Sequence, residues 1–374
     1  MRIPLILLGL TTVAHADPEK NHTLGEGFSL AADNNNVYVK KGAQTAPLTK
    51  GSGFESVKVD SKARTVVVEV ADNTCAGSTT YTWSFDHLDA RLENTAAFVA
   101  VKKKDLKAAA IGFERAVKRD PKWNIAAYNL ASVRQLVGDK AGAVAALAPW
   151  LASEPIATYT QATIDPDLAP LLDRAELRAL RGKQPGNAKV TVDGIVGSVA
   201  YAPDKTLLAV TRLEPSGTAS SYKIDLEIYD AVTGARRATF ALVGWTDTRN
   251  DSDKPTLTGT GKAAAGKRAA MFQKLIDDLG FSPTPVEVAG NKIDDDDKIK
   301  LSLPKAKLGV VGKDDTARAL RGNLSVGTAK IEGKLMSATL VDAAHTIVLT
   351  SHRTSAEGCD GGPEVGVYLM RLQP

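Results

Sequence analysis

Asp105-Leu-Lys-Ala-Ala-Ala-Ile-Gly-Phe-Glu-Arg-Ala-Val-Lys-Arg-Asp-Pro121 and Asp139-Lys-Ala-Gly-Ala-Val-Ala-Ala-Leu-Ala-Pro-Trp-Leu-Ala-Ser-Glu-Pro155 carry one pattern twice. Ala109, Phe113, Ala116 and Pro121 of the first stretch are matched 34 residues on by Ala143, Leu147, Trp150 and Pro155. A period of 34 with these residue types marks a helix–turn–helix unit, which must stack on a neighbour to bury its apolar face. Asp105 and Asp139 stand where the second helix of each pair needs a side-chain oxygen for its free N–H groups. Gly138-Asp139 supplies the turn of the second pair, and Lys104-Asp105 takes that place in the first. Pro121 and Pro155 stand where a helix should stop. Apolar residues at i, i+3 and i+4 extend the helical reading over 94–181.

On these residues, the segment of about 90–155 resembles two tetratricopeptide repeats. The first departs from the family pattern at Ala96, Ala97 and Ala100, where large residues are usual; the second carries Tyr128, Leu130 and Ala131. Asp165-Pro-Asp-Leu-Ala-Pro-Leu171 resembles the segment that often closes such arrays, and it leads into a last helix expected over Asp173 to Arg181. The resemblance implies helical hairpins with a concave groove for other chains, and no reaction. The groove side chains it implies by register are Arg91, Asn94 and Lys102 in the first unit, and Tyr128, Asn129, Ser132 and Gln135 in the second. Arg, Asn and Lys suit a carboxylate such as a peptide C-terminus. The competing expectation is that these residues face solvent or an adjoining β-rich part.

Both flanks alternate like strands. Residues 17–92 hold Val37-Tyr-Val39 after the turn Asp33-Asn-Asn-Asn36, a β-branched run from Arg64 to Val70, and Thr79 to Phe85. Gly182-Lys-Gln-Pro-Gly-Asn187 reads as a linker by composition. After it, Ser198 to Asp204, Leu207 to Val210 and Tyr222 to Tyr229 resemble a blade of a β-propeller. The same rhythm runs through Val59-Asp60, Thr65 to Val68 and Tyr81 to Phe85, and again through Val341-Asp342, Thr346 to Leu349 and Val365 to Leu369. One β-meander used three times is the expectation; a general likeness among antiparallel hairpins is the alternative. Residues 262–280 read as one helix with Met271, Phe272, Leu275, Ile276 and Leu279 on one side and Gly280 ending it.

The 374 residues are 43% hydrophobic and only 5% aromatic, so Val, Leu, Ala and Ile must fill most of the core. Arg2, the apolar run Ile3 to Leu10 and Ala14-His-Ala16 read as a secretory leader over residues 1–16. That apolar run is far shorter than the roughly 20 residues a membrane span needs. Loss of Arg2 with the leader lowers the formal net charge from +4 to +3. The charge is mixed along the chain, which argues against nucleic-acid binding, where a clustered basic stripe is needed. Cys75 and Cys359 occupy Gly-containing loops after strand-like runs in an exported chain, where a disulfide is permitted. They either bridge each other or stand as two independent thiols.

Catalytic motifs are missing from the sequence. It has no His-Glu-x-x-His, no Gly-x-Ser-x-Gly and no phosphate-cradling Gly-x-x-x-x-Gly-Lys-Ser/Thr. His345 and His352 flank a strand and lie roughly 23 Å apart on an extended chain, too far to share a metal. Asp247, Asn250, Asp251 and Asp253, and separately Asp294 to Asp297, offer oxygens to a hard cation, but neither matches a calcium-loop spacing. A run of four Asp is otherwise a solvated loop, since carboxylates adjacent on a strand alternate faces.

The sequence thus predicts an α+β protein with β-rich, meander or partial propeller-like N- and C-terminal parts and an inserted tetratricopeptide-like α-hairpin segment. The expected divisions are a leader at 1–16, a β-rich segment at 17–93, a helical segment at 94–182, and a β-rich domain at 183–374 with one long helix near 262–280. The expected function is non-catalytic: an exported, periplasmic or secreted, bacterial binding or scaffolding protein for another envelope protein or peptide. No cofactor, metal, nucleic acid or membrane span is expected. A β-propeller-like binder of a small molecule or carbohydrate and an envelope hydrolase with an unrecognised site are the alternatives.

Overall fold

The computed structural model describes residues 21–33, 35–51, 53–71, 78–190, 199–215, 221–251, 254–283, 286–289, 299–303, 305–313, 315–341, 345–353 and 364–373. The expected leader, both cysteines and Asp294 to Asp297 lie outside these residues. The chain is mixed α+β with antiparallel sheets, and it divides into two compact units, Met1–Leu177 and Arg178–Pro374.

In the first unit, β1 (His22–Gly25), β2 (Phe28–Ala32), β3 (Asn36–Lys41) and β4 (Gln44–Lys50) form an antiparallel meander. β5 (Gly53–Asp60), β6 (Thr65–Ala71) and β7 (Ser78–Ser84) form a second sheet. Alternation decides which face is inside: Val66, Val68 and Val70 are buried, while Thr65, Val67 and Glu69 between them are half-buried. Phe28, Leu30, Val37 and Val39 of one sheet pack with Val66, Val68 and Trp83 of the other, and Phe85, Leu88 and Leu92 join the same core.

Those last three residues belong to α1 (Phe85–Lys102), which begins nearer the strands than the expected boundary at Asn94. The cause is local: Ser84 Oγ accepts the His87 N–H at 3.0 Å, and Asp86 sits in the first turn. α2 (Leu106–Arg119), α3 (Asn124–Leu136), α4 (Lys140–Ser153) and α5 (Pro155–Ile164) follow. Both expected caps form. Asp105 accepts from Ala108 at 3.0 Å, and Asp139 accepts from Gly142 at 2.8 Å. Ala109, Phe113, Ala116, Ala143 and Leu147 are fully buried, whereas Trp150 is only half-buried. Ala97, Ala109, Phe113, Leu130 and Val133 tie α1, α2 and α3 into one core. The last helix is shorter than expected. A 3₁₀ turn at Ala169–Leu171 precedes α6, which spans only Ala175–Arg178.

In the second unit, β8 (Val199–Ala202), β9 (Leu207–Pro215), β10 (Tyr222–Asp230) and β11 (Arg236–Val243) make a meander. The hairpin β12 (Thr248–Asp251) and β13 (Lys254–Leu257) leads to α7 (Gly259–Leu279). β14 (Ser282–Pro283) then pairs beside β8. β15 (Val286–Ala289), β20 (Lys334–Val341), β21 (Thr346–Arg353) and β22 (Glu364–Arg371) form a second sheet in that order. β16 (Ile299–Leu303), β17 (Leu308–Lys313), β18 (Thr316–Arg321) and β19 (Leu324–Lys330) form a third.

The β15–β20–β21–β22 sheet is the middle layer. Leu340, Ile347, Leu349 and Met370 face the β16–β19 sheet, while Val341 and Val348 face Val199, Leu208, Val210 and Tyr229 of the β8–β11 sheet. α7 covers the remaining face of the latter, with Phe272 against Phe240 at 5.2 Å between ring centroids. No sheet closes into a barrel or a propeller ring among the described residues.

The segment Gly182 to Asn187 is docked rather than free. Gly182 and Gly186 donate to the carbonyls of Asp278 and Asp277 at the end of α7, both at 2.8 Å. A Cβ on Gly186 would stand 2.4 Å from the carbonyl oxygens of Ile276 and Phe281, so glycine here permits close approach.

The three meanders share one closure. Arg64, Thr206 and His345, each immediately before a central strand, adopt left-handed φ of 54°, 51° and 47°. The carbonyl of each accepts the N–H of the residue that follows the third strand. Phe85 donates to Arg64 at 3.0 Å, Ala231 to Thr206 at 2.8 Å, and Leu372 to His345 at 2.8 Å.

Candidate functional site

Of the groove residues of α1 and α3, Asn94 and Asn129 bond to each other across the helical seam, and Tyr128 and Ser132 bond to α5 and the residue after it. Asn129 Nδ2 donates to Asn94 Oδ1 at 2.9 Å, linking α3 to α1. The Tyr128 hydroxyl lies 3.4 Å from Thr158 Oγ1 on α5. Ser132 Oγ donates to Asp165 Oδ2 at 3.3 Å, just beyond α5. Asn94, Tyr128, Ser132 and Asp165 are all buried. Polar groups removed from water need such partners, so these bonds align the helices as well as line the seam.

Arg91 does other work. Its Nε donates to Pro47 O and its Nη2 to Leu48 O, both at 2.9 Å, and its guanidinium lies 4.9 Å from the Trp123 ring centroid. It stitches α1 to β4. Burial lowers its pKa to about 10, which leaves it charged at neutral pH. Lys102 is exposed in the last turn of α1.

Beyond Ser132 the pairing runs out. Gln135 lies one turn further along α3, and its Oε1 is buried without a hydrogen-bond partner. Gln161 Nε2, one turn beyond Thr158 on α5, and Asp167 Oδ2 are in the same state. Asp167 is held close by its own N–H, which donates to Asp165 Oδ1 at 2.9 Å. Burial pushes both carboxyls up in pKa. Buried polar atoms left unpaired cost free energy, and they are rare enough in native proteins that each group needs a reason. Two acceptors, Gln135 Oε1 and Asp167 Oδ2, and two donor-bearing groups of α5, Thr160 Oγ1 and Gln161 Nε2, are thus unpaired on α3, on α5 and just beyond it, and neither Asp165 nor Asp167 has an ion-pair partner among the described residues. That chemistry suits N–H donors or a cation. Arg91, expected to suit a terminal carboxylate, is engaged with β4 instead.

Sequence reasoning picked out Gln135 but not Gln161, Asp165 or Asp167. The signal was present in the closing segment Asp165-Pro-Asp-Leu, which was read for its shape and not for its carboxyls.

A second polar cluster also escaped sequence reading. Asp225 and Glu227 on β10 are each 1% exposed. Arg212 reaches both, at 3.1 and 3.2 Å, while Arg236 bonds Glu227 at 3.1 Å and Lys223 bonds Asp225 at 2.6 Å. Tyr229 donates to Glu227 Oε2 at 2.5 Å, and burial followed by that carboxylate pushes the phenol far up in pKa. The signal was Asp225-x-Glu227-x-Tyr229 on one strand face. The opposed charges are paired through Asp225 Oδ2 and Glu227, while Asp225 Oδ1 is buried without a hydrogen-bond partner; the cluster ties β9, β10 and β11 together.

Of the candidate cation loop, only the Asp247 side chain is described. The Asp247 carboxylate accepts from Gly244 at 2.6 Å and pairs with Arg268, while the side chains of Asn250, Asp251 and Asp253 lie outside those described. Among the described residues, no three His, Cys, Asp or Glu side chains meet as a metal would require. His345 precedes β21, and His352 falls within it. His87 is bound to Asp120 at 2.6 Å and packs edge-on against Trp123. No helix among the described residues is long and apolar enough to cross a membrane. No protein-family model, curated protein or solved structure matches the chain.

Proposed function

We propose that this chain is a non-catalytic binding protein that holds a peptide segment of another protein at the end of the helical seam. The observation that carries the reading is that Gln135 Oε1, Thr160 Oγ1, Gln161 Nε2 and Asp167 Oδ2 are buried and unpaired on the helices that the Asn94–Asn129 and Ser132–Asp165 links join. A peptide backbone supplies both N–H and C=O groups, the complement of these atoms once the side chains turn outward to meet it. The two carboxyls favour a basic or amide-rich segment over an acidic one. The tetratricopeptide-like spacing supports the same reading. So does the leader-like start of the sequence, which points to an exported protein of a bacterial envelope, periplasmic or secreted. The recurring meanders are blade-like units of one repeated module.

The test is crosslinking capture from envelope extract with the parent chain, a Gln135→Leu/Gln161→Leu variant and a Lys102→Ala control. A partner captured by the parent and the control but lost with the double variant supports the proposal, provided the variant's circular dichroism is unchanged. A partner retained by all three places binding elsewhere and refutes it.

A further inference from the structure

The first and last seven strands are two versions of one structure. β1–β4 with β5–β7 corresponds to β16–β19 with β20–β22 in strand order and pairing. The agreement extends to irregular features. Gly51 donates to Asn35 O and Ile331 donates to Asp315 O, each at 2.9 Å. The β5–β6 pairing shifts between Phe54 and Ser56, and the β20–β21 pairing shifts between Leu335 and Ser337. These features fix the alignment: Phe28 matches Leu308, Lys41 matches Arg321, Arg64 matches His345, and Phe85 matches Leu372.

In the first version these positions are partnered, although Arg64 stays exposed. Lys41 pairs with Asp89 at 2.9 Å and lies 4.0 Å from the centroid of Phe28. Arg64 pairs with Glu26 at 3.1 Å and Asp86 at 3.5 Å. Phe85 packs on Phe28 at 5.3 Å. The start of α1 thus supplies an aromatic residue followed by two carboxylates one turn apart.

In the second version the same place is a cavity of about 510 Å³. Leu308, Leu340 and Leu372 give it an apolar floor, and Arg321, His345 and Arg371 stand around it. All three basic residues are exposed, and none has an ion-pair or side-chain hydrogen-bond partner among the described residues. Two arginines over an apolar floor match a ligand that is both anionic and apolar.

We propose that this pocket is a docking site for the acidic start of a helix in a partner protein, with an aromatic residue on the leucine floor and carboxylates on Arg321 and Arg371. Leu372 already stands where Phe85 does, so the occupant repeats the carboxylates of Asp86 and Asp89 and rests its aromatic residue on Leu372 and Leu308. The site is independent of the helical seam and differs from it in sign: the seam takes donors and the pocket takes anions.

The probe is a fluorescein-labelled synthetic peptide of residues 84–98, titrated against the full chain by anisotropy. Saturable binding that falls at least tenfold with Arg321→Glu/Arg371→Glu, and equally with Asp86→Asn/Asp89→Asn in the peptide, supports the proposal. Rising salt should weaken it, as expected for exposed charges. A photoreactive benzophenone in place of the peptide's Phe85 should label the chain near Leu308 or Leu372, which gives a readout that needs no variant to fold. Three results would overturn the proposal. One is no saturation at millimolar peptide, and another is binding that the arginine changes leave alone. The third is full displacement by an equal concentration of inorganic phosphate, which would assign the pocket to small anions.

Discussion

Arg91→Ala separates a structural arginine from a ligand-binding one. Its guanidinium serves Pro47 O and Leu48 O and lies over Trp123. A hydrogen bond to a charged donor contributes about 1.5–3 kcal/mol, so the two carbonyls together account for roughly 3–6 kcal/mol. The ring contact adds about 0.5–2 kcal/mol. Opposing these is the cost of burying the cation. The fall of its pKa from 12.5 to about 10 corresponds to roughly 3 kcal/mol at about 1.4 kcal/mol per pKa unit. The hydrogen bonds outweigh this cost, and the expected net loss is about 3 kcal/mol. With a urea m-value of about 2 kcal/mol per molar, the midpoint should fall by about 1.5 M. Tryptophan fluorescence is the natural readout, since Trp123 is one of the contacts. Arg91→Lys keeps the charge but not the fork, and should fall between parent and alanine. A midpoint unchanged within about 0.3 M for Arg91→Ala, together with loss of peptide binding, would refute the reasoning and restore Arg91 to the groove.

Three further outcomes are expected. A Cβ on Gly112 would stand 2.7 Å from that of Ala97, so Gly112→Ala should destabilise the α1–α2 hairpin by about 1–3 kcal/mol, less about 1 kcal/mol of helix propensity. Ala97→Gly in the same chain should recover most of that loss in a denaturation double-mutant cycle, and additive effects would contradict the contact. Burial lowers the pKa of His87 against the opposing pull of Asp120. The unfolded chain therefore takes up the proton first, and stability should fall as pH drops below about 6.5; a His87→Gln variant whose urea midpoint falls just as steeply between pH 8 and 5.5 would exclude His87 as the source. Glu227→Ala leaves the buried Tyr229 hydroxyl without its described acceptor and removes one described partner each from Arg212 and Arg236, and should cost about 3–5 kcal/mol in thermal or urea unfolding. A loss below about 1 kcal/mol would mean that the cluster is solvated.

Local signals carried most of what the sequence made legible. Asp105 and Asp139 announced their helices because a cap needs only neighbours in the chain. Thr65 to Val68, Leu207 to Val210 and Thr346 to Leu349 announce the central strands as short apolar, largely β-branched runs. The start of α1 was missed because Ser84-Phe85-Asp86 reads equally well as the end of a strand, and only the core formed by Phe28, Leu88 and Leu92 decides between the two. Gly182 to Asn187 looked like a linker because composition does not reveal that α7 ends beside it. The candidate site was half legible. Helical register placed Ser132 and Gln135 on one line, but pairing across α3 and α5 is a tertiary fact. Arg91 shows the limit most clearly: register brings it to the correct helix, while the free carbonyls of β4 determine where its charge goes.

The middle sheet of the second unit belongs to two cores at once. Ile347 and Leu349 point into one, and Val348 points into the other. A fluctuation that opens either core exposes one side of β21, so neither outer sheet can melt while leaving the centre intact. Amide protons along β20 and β21 should therefore exchange only when the whole unit unfolds, while β12 and β13, a hairpin outside the three-sheet stack, exchange far sooner. The unit would then respond to heat or denaturant as one cooperative block, and a lesion at Val348 would be felt in both layers.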